Sequence, residues 1–187
     1  MGLIGFSGIR WLQFKEEVDQ FVALLLEEGV RSYLEIGAHQ GDTLHYIGSA
    51  LPEGSLLVGV DLPGASAGRY YNSWERLENA CRDLEKQGKR AHSIIGDSRD
   101  PTVIAKAREL GPYDCVFIDG DHSFEGCRAD WRNYGPMGRI VAFHDICQVS
   151  RPRKCRVFEV YRSACNGHRH REITIGAGRR GIGVVWR

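Results

Sequence analysis

Asp119, Asp121 and His122 fall within four positions at the end of an apolar run, "VFIDGDH". Three further runs end the same way: "SLLVGVD" on Asp61, "SIIGD" on Asp97, and "GRIVAFHD" on His144 and Asp145. Carboxylates and imidazoles set at such ends accept hydrogen bonds from ligand hydroxyls and move protons near neutral pH. The strand they terminate keeps its own backbone buried, and a carboxylate in mid-strand would do the same work only at a large desolvation cost.

The elements that must position these groups follow from hydrophobic periodicity. Phe14 to Glu28 places Phe14, Val18, Phe21, Val22, Leu25 and Leu26 on one helical face, with acids and Lys15 on the other and Gly29 as the stop. An apolar strand from Tyr33 to Ile36 then enters a glycine-bearing turn, followed by a helix from Thr43 to about Leu51. "SLLVGVDL", residues 55–62, is apolar enough for burial on both faces. A polar loop, "PGASAGRYYN", leads to a helix over residues 73–87 with Leu77, Ala80, Cys81 and Leu84 inward, and "AHSIIGDS" is the next strand. Pro101 opens a short helix in the first-turn position that tolerates its missing N–H, and Ser123 caps another helix after the "YDCVFI" strand. Beyond the "GRIVAFHDI" strand come a basic loop, a helix over Val157 to Cys165, and two closing strands, "REITIG" and "GIGVVWR", joined as a hairpin through "AGRR".

Alternation of strand and helix predicts an α/β fold, a mainly parallel sheet with helices on both faces. The 187 residues read as one domain: an N-terminal helical segment over residues 1–30, a ligand-binding core over 31–146, and a basic C-terminal helix with closing hairpin over 147–187. Ligands of such sheets bind outside the carboxyl ends of the strands. There the sequence offers Glu35 with Gly37 and Gly41, then Asp61, Asp97, Asp119, His144 and Asp145. The two glycines let a ligand approach the backbone, and Asp61, about 25 residues beyond the turn, is placed to receive the two hydroxyls of a ribose. "EIGAHQG" has His39 where a dinucleotide fingerprint carries its middle glycine, which disfavours a pyrophosphate and an NAD-linked oxidoreductase. No GK[ST] follows a glycine run, so a P-loop is excluded.

Hydrophobic residues make up 42% and charged residues 26% of the chain, with no apolar run long enough to cross a bilayer. "MGLIGFSGIRWLQFKEEV" lacks the pattern of a secretion signal, which predicts a cytoplasmic setting; Gly2 resembles a myristoylation start, but Phe6 stands where a hydroxyl residue is wanted. Six cysteines without a CxxC pair are expected to be reduced and unligated, the alternative being a Cys155–Cys165 disulfide or a scattered metal site. The charge is uneven: ten Lys or Arg against two acids follow Asp145, whereas the first 145 residues hold 15 against 22. This basic strip marks either an anionic partner or a solvated surface.

"YLEIGAHQGDT", "GVDL" and "IIGDS" resemble the first three motifs of the class I S-adenosylmethionine (SAM)-dependent methyltransferases. The stretch from Tyr113 to Ile146 is similar to the subgroup of small bacterial O-methyltransferases related to macrocin O-methyltransferase and cephalosporin-pathway enzymes. The resemblance implies a Rossmann-like, doubly wound sheet of seven strands, the last inserted antiparallel. It implies Glu35, Gly37, Ala38, His39 and Gly41 around the methionine part of SAM, Asp61 with Leu62 at the ribose, Asp97 with Ser98 at the adenine edge, and Asp119 beside the cofactor. His39 departs from the family's glycine turn, and its side chain either points away from the cofactor or contacts its carboxylate.

Metal-assisted relatives, catechol O-methyltransferase among them, carry one acid after the fourth strand and an adjacent pair after the fifth. Asp119, His144 and Asp145 match those positions, which implies a divalent metal such as magnesium or manganese, with His144 in place of a carboxylate. His122 is then the general base, and Asp121 a helix N-terminal acid. The implied reaction is methylation of a hydroxyl on a small molecule or sugar, an anionic acceptor included. Neither a [DNS]PP[YFW] tetrapeptide nor a Pro-Cys dipeptide is present to suggest N- or C5-methylation. A second reading takes Arg151, Arg153, Lys154 and Arg156 as contacts to nucleic acid or another polyanion. Phe6, Ile9 and Trp11 are candidates for a lid or a homodimer interface.

Overall fold

In the computed structural model the described residues are 14–62, 73–147, 155–175 and 180–187. Residues 63–72, residues 148–154 with Arg151, Arg153 and Lys154, residues 176–179, and residues 1–13 with Phe6, Ile9 and Trp11 lie outside them.

The elements run α1 (Lys15–Glu27), β1 (Ser32–Ile36), α2 (Asp42–Ala50), β2 (Leu56–Asp61), α3 (Ser73–Lys86), β3 (Arg90–Ile95), α4 (Pro101–Leu110), β4 (Tyr113–Ile118) and α5 (Phe124–Tyr134). After a 3-10 turn over Gly135–Met137 come β5 (Gly138–His144), α6 (Val157–Ala164), β6 (Arg169–Ile173) and β7 (Ile182–Trp186). They build one seven-stranded sheet in the order β3-β2-β1-β4-β5-β7-β6. β1 to β5 are parallel, and β7 lies antiparallel between β5 and β6, as expected from the resemblance.

The register brings the functional strand ends level. Ile36 pairs with both Val60 and Ile118, and the N–H groups of Gly37 and Asp119 donate across the gaps to Val60 and Ile36 at 2.8 Å. Side chains alternate between two cores. Leu34, Val58, Val116 and Val141 face the layer of α4, α5 and α6, while Tyr33, Leu57, Phe117 and Ala142 face α1, α2 and α3. All six residues of β2 are buried.

The first helix differs from its sequence pattern. Phe14 is the N-cap and 40% exposed, and Leu26 is 46% exposed. Glu17, expected on the outer face, is buried at 1% exposure and accepts the N–H groups of Ile175 and Gly181, both at 3.1 Å. A buried carboxylate that receives two backbone donors meets its desolvation cost through them. Here it fixes both ends of the turn that joins β6 to β7. Gly29 does end the helix, at φ +66°, with Val30 N–H bonded to Leu25 O.

Candidate active site

A cavity of about 520 Å³ opens at the carboxyl ends of β1 to β5. It is lined by Gly37, His39, Asp61, Leu62, Asp97, Ser98, Asp119, His122, His144 and Asp145, which are most of the site residues expected from sequence. Three expected residues are not in its wall, and each has a packing reason.

Glu35 is 1% exposed inside β1, where Tyr33 Oη donates to it at 3.2 Å. Burial, then the nearby Asp119 charge, push its carboxyl well above the ordinary range. Gly41, at φ +82°, precedes α2, and a Cβ there would stand 2.8 Å from Ala80 Cβ on α3. Close packing against α3 alone calls for glycine there. Ala38 is buried in the α1–α3 core. Gly37 does line the cavity, but its φ of +86° and the backbone of β4's end are what demand glycine: a Cβ would fall against the Asp119 carbonyl and within 2.6 Å of Gly120 Cα.

At one end of the cavity Asp61 accepts the backbone N–H groups of His39 and Leu62, although burial still lifts its carboxyl to about 6. His39 adopts φ +49°, a left-handed turn that a glycine would reach more cheaply. Asp97 is gripped by Arg99, with Oδ2 2.7 Å from Nη2 and Oδ1 3.0 Å from Nε, and that contact draws its carboxyl down to about 2. Ser98 Oγ turns inward to donate to Asp130 at 2.7 Å, and its carbonyl accepts Tyr134 Oη at 2.7 Å. Asp130 and Tyr134 on α5 thus hold the β3 turn from behind.

The other end holds a charge network. His144 Nδ1 lies 2.9 Å from Asp119 Oδ1, and His122 Nε2 lies 3.4 Å from the same oxygen. His122 Nδ1 lies 3.4 Å from Asp145 Oδ2. Burial alone would raise the Asp119 carboxyl, but the His144 charge and the hydrogen bonds from both imidazoles hold it well below the usual range. In return His122 is raised, chiefly by its Asp119 contact, and His144 is raised by Asp119 against the opposing effect of its burial. Asp145 adopts φ +62°, and its Oδ1 is a buried atom with no hydrogen-bond partner among the described residues.

Sequence reasoning missed Arg180, which lines the cavity from the β6–β7 turn with Nη1 3.9 Å from Asp145 Oδ1, and Arg99. Cys155, weighed from sequence only for a disulfide with Cys165 or a scattered metal site, is a free thiol whose Sγ approaches Asp145 O at 3.6 Å; neither spacing nor motif ties that cysteine to β5. Asp121 lines the cavity as well as capping the turn into α5, where it accepts Ser123 N–H at 2.8 Å. Arg156 spends its guanidinium on Glu159, two contacts of 2.7 Å, and on the Phe124 ring. No helix among the described residues is long and apolar enough to cross a membrane.

A family described as "Methyltransferase domain" matches residues 34–146. Among solved structures the chain is similar to an O-methyltransferase from Bacillus cereus in complex with SAH: TM-score 0.63, 17% identity, 94% of this chain and 82% of the other covered. It is similar to the O-methyltransferase TomG from Streptomyces achromogenes, involved in tomaymycin synthesis and in complex with SAM: TM-score 0.67, 16% identity, 97% and 83% covered. A methyltransferase from Geobacter sulfurreducens gives TM-score 0.64 at 16% identity, with 94% and 79% covered. Among curated proteins none matches this sequence. The family match takes in more than half of the 187 residues and every strand end around the cavity, so the chain belongs to the methyltransferase domain family.

Proposed function

We propose that this protein is a SAM-dependent O-methyltransferase acting on a hydroxyl of a small molecule or sugar. One observation carries the reading: a single cavity joins Asp61, at the end suited to a ribose, to the His122–Asp119 pair at the end suited to a proton transfer. The SAH and SAM named in the Bacillus cereus and TomG structures support it. Residues 31–146 form the cofactor-binding core, and the elements after them close the acceptor end.

Bound SAM supplies an electrophilic methyl group on a sulfonium, and transfer is an in-line displacement governed by orientation and deprotonation. Asp61, when ionised, accepts the ribose hydroxyls while the N–H groups of His39 and Leu62 fix its orientation. His122, whose Nδ1 also lies 3.4 Å from Asp145 Oδ2, takes the acceptor proton as the new C–O bond forms and the C–S bond breaks. Asp119, behind Nε2, favours the imidazolium that results. Arg180 gives an anionic acceptor a counter-charge.

The cation set that the resemblance implies, Asp119, His144 and Asp145, belongs to this proposal as the holder of a divalent metal: His144 Nδ1 lies 2.9 Å from Asp119 Oδ1 and 3.6 Å from Asp145 Oδ1.

The test is incubation with SAM and matched sets of phenols, catechols, sugars and amines, with products located by mass and NMR. Methyl ethers are expected; transfer confined to amines would overturn the O-methyl assignment.

A further inference from the structure

We infer that His122, Asp145 and Cys155 form a zinc-type site, with His122 and Asp145 in the wall of the cavity's acceptor end and Cys155 buried behind it, sharing Asp145 alone with the Asp119, His144 and Asp145 set. Each offers one ligand atom, and the three atoms lie within 4.8 Å of one another, Asp145 and Cys155 being buried and His122 half-buried. The His122 Nδ1 to Asp145 Oδ2 separation is 3.4 Å, which matches the spacing of about 3.4 Å between nitrogen and oxygen ligands of one tetrahedral ion.

Two independent features point to the same place. Asp145 Oδ1 is buried and makes no hydrogen bond among the described residues, its charged neighbours being His144 Nδ1 at 3.6 Å and Arg180 Nη1 at 3.9 Å, on a residue held in the left-handed region at φ +62°. Such strain persists where the surroundings impose it, commonly at ligand clamps. The second is behind His122, where Nε2 faces Asp119 at 3.4 Å: a carboxylate on the far nitrogen is how metal-binding imidazoles are oriented. The chain also anchors both pieces, since Arg156 N–H, next to Cys155, donates to His122 O at 2.8 Å.

A sulfur, a nitrogen and an oxygen donor suit zinc or cobalt and disfavour magnesium, which wants oxygen ligands. Three protein ligands leave a fourth position open, as in catalytic zinc sites. An acceptor hydroxyl there would lose its proton to solvent under the pull of the cation, so the ion replaces the imidazole as the activating group and His122 becomes a ligand. The assignment rests on the methyl-transfer reading only for that role; binding itself does not.

The experiment is anaerobic titration of chelator-treated full-length protein with Co²⁺, followed by absorption, in parallel with calorimetry of Zn²⁺, Mg²⁺ and SAM. Expected are tetrahedral cobalt bands with a thiolate charge-transfer band, zinc binding unaffected by excess Mg²⁺, and loss of the thiolate band in Cys155→Ser with zinc affinity down by about 100-fold. His122→Asn serves as the second variant should Cys155→Ser fail to fold, and is expected to lose the tetrahedral bands. Absence of a thiolate band in the wild-type protein, or its persistence in Cys155→Ser, overturns the site. SAM binding without a cobalt signal removes the metal alone; a cobalt signal without SAM binding removes the methyl-transfer reading alone.

Discussion

His144 Nδ1 lies 2.9 Å from Asp119 Oδ1, so an imidazole buried at the end of β5 holds the carboxylate at the end of β4. The pair ties the two strands that carry the reaction end of the cavity, and it keeps Asp119 ionised beneath His122. Removing the imidazole takes the shorter of two imidazole contacts from a carboxylate in a mostly buried position. His144→Ala is expected to lose about 3 kcal/mol of stability in urea denaturation at neutral pH. A loss below about 1 kcal/mol would show that the pair contributes little.

Gly37 and Gly54 separate backbone need from ligand need. Both have positive φ, +86° and +77°, but a Cβ at Gly54 meets nothing within 4 Å, whereas one at Gly37 runs into the end of β4. Gly54→Ala is expected to cost about 1 kcal/mol and Gly37→Ala about 3 kcal/mol or more, read from denaturation midpoints. Equal costs would contradict the close approach of the β1 turn to β4.

Asp61 gives SAM binding a pH dependence. Burial raises its carboxyl to about 6, and the ionised form is the one that accepts two ribose hydroxyls. SAM affinity is therefore expected to hold above about pH 6 and to fall by up to tenfold per unit below it. Calorimetry across that range checks this, and Asp61→Asn should remove the inflection.

Asp130 acts on stability instead. Its carboxyl is raised from 3.8 to about 6 by burial, with one oxygen bonded to Ser98 and the other, Oδ2, without a hydrogen-bond partner among the described residues. A raised acid holds its proton more firmly in the folded state, so its contribution is largest at low pH and is lost as pH rises from about 4 to 6, by about 3 kcal/mol at most. Asp130→Asn keeps the acceptor for Ser98 and should flatten the stability profile over that window, measured by thermal denaturation.

Much of this was legible in the sequence, because hydrophobic alternation fixes buried strands and their polar ends. Asp61, Asp97, Asp119, His144 and Asp145 fall around one cavity for that reason. The rest depended on tertiary approach. Gly41 reads as a ligand glycine until α3 is seen packed against it, and Glu17 reads as a surface acid until the closing hairpin supplies its donors. Arg180 and Cys155 sit 35 and 10 residues beyond Asp145, outside any spacing rule, and only the fold returns them to it.

Titration calorimetry of the full-length protein with SAM, repeated on Asp61→Ala, tests the central claim most directly. Saturable one-to-one binding, weakened at least about tenfold in a folded Asp61→Ala, is the result that the cavity's geometry leads us to expect. Absence of SAM binding to the wild-type protein at neutral pH would contradict the proposed activity, and equal affinity in the variant would contradict the placement of the ribose at Asp61.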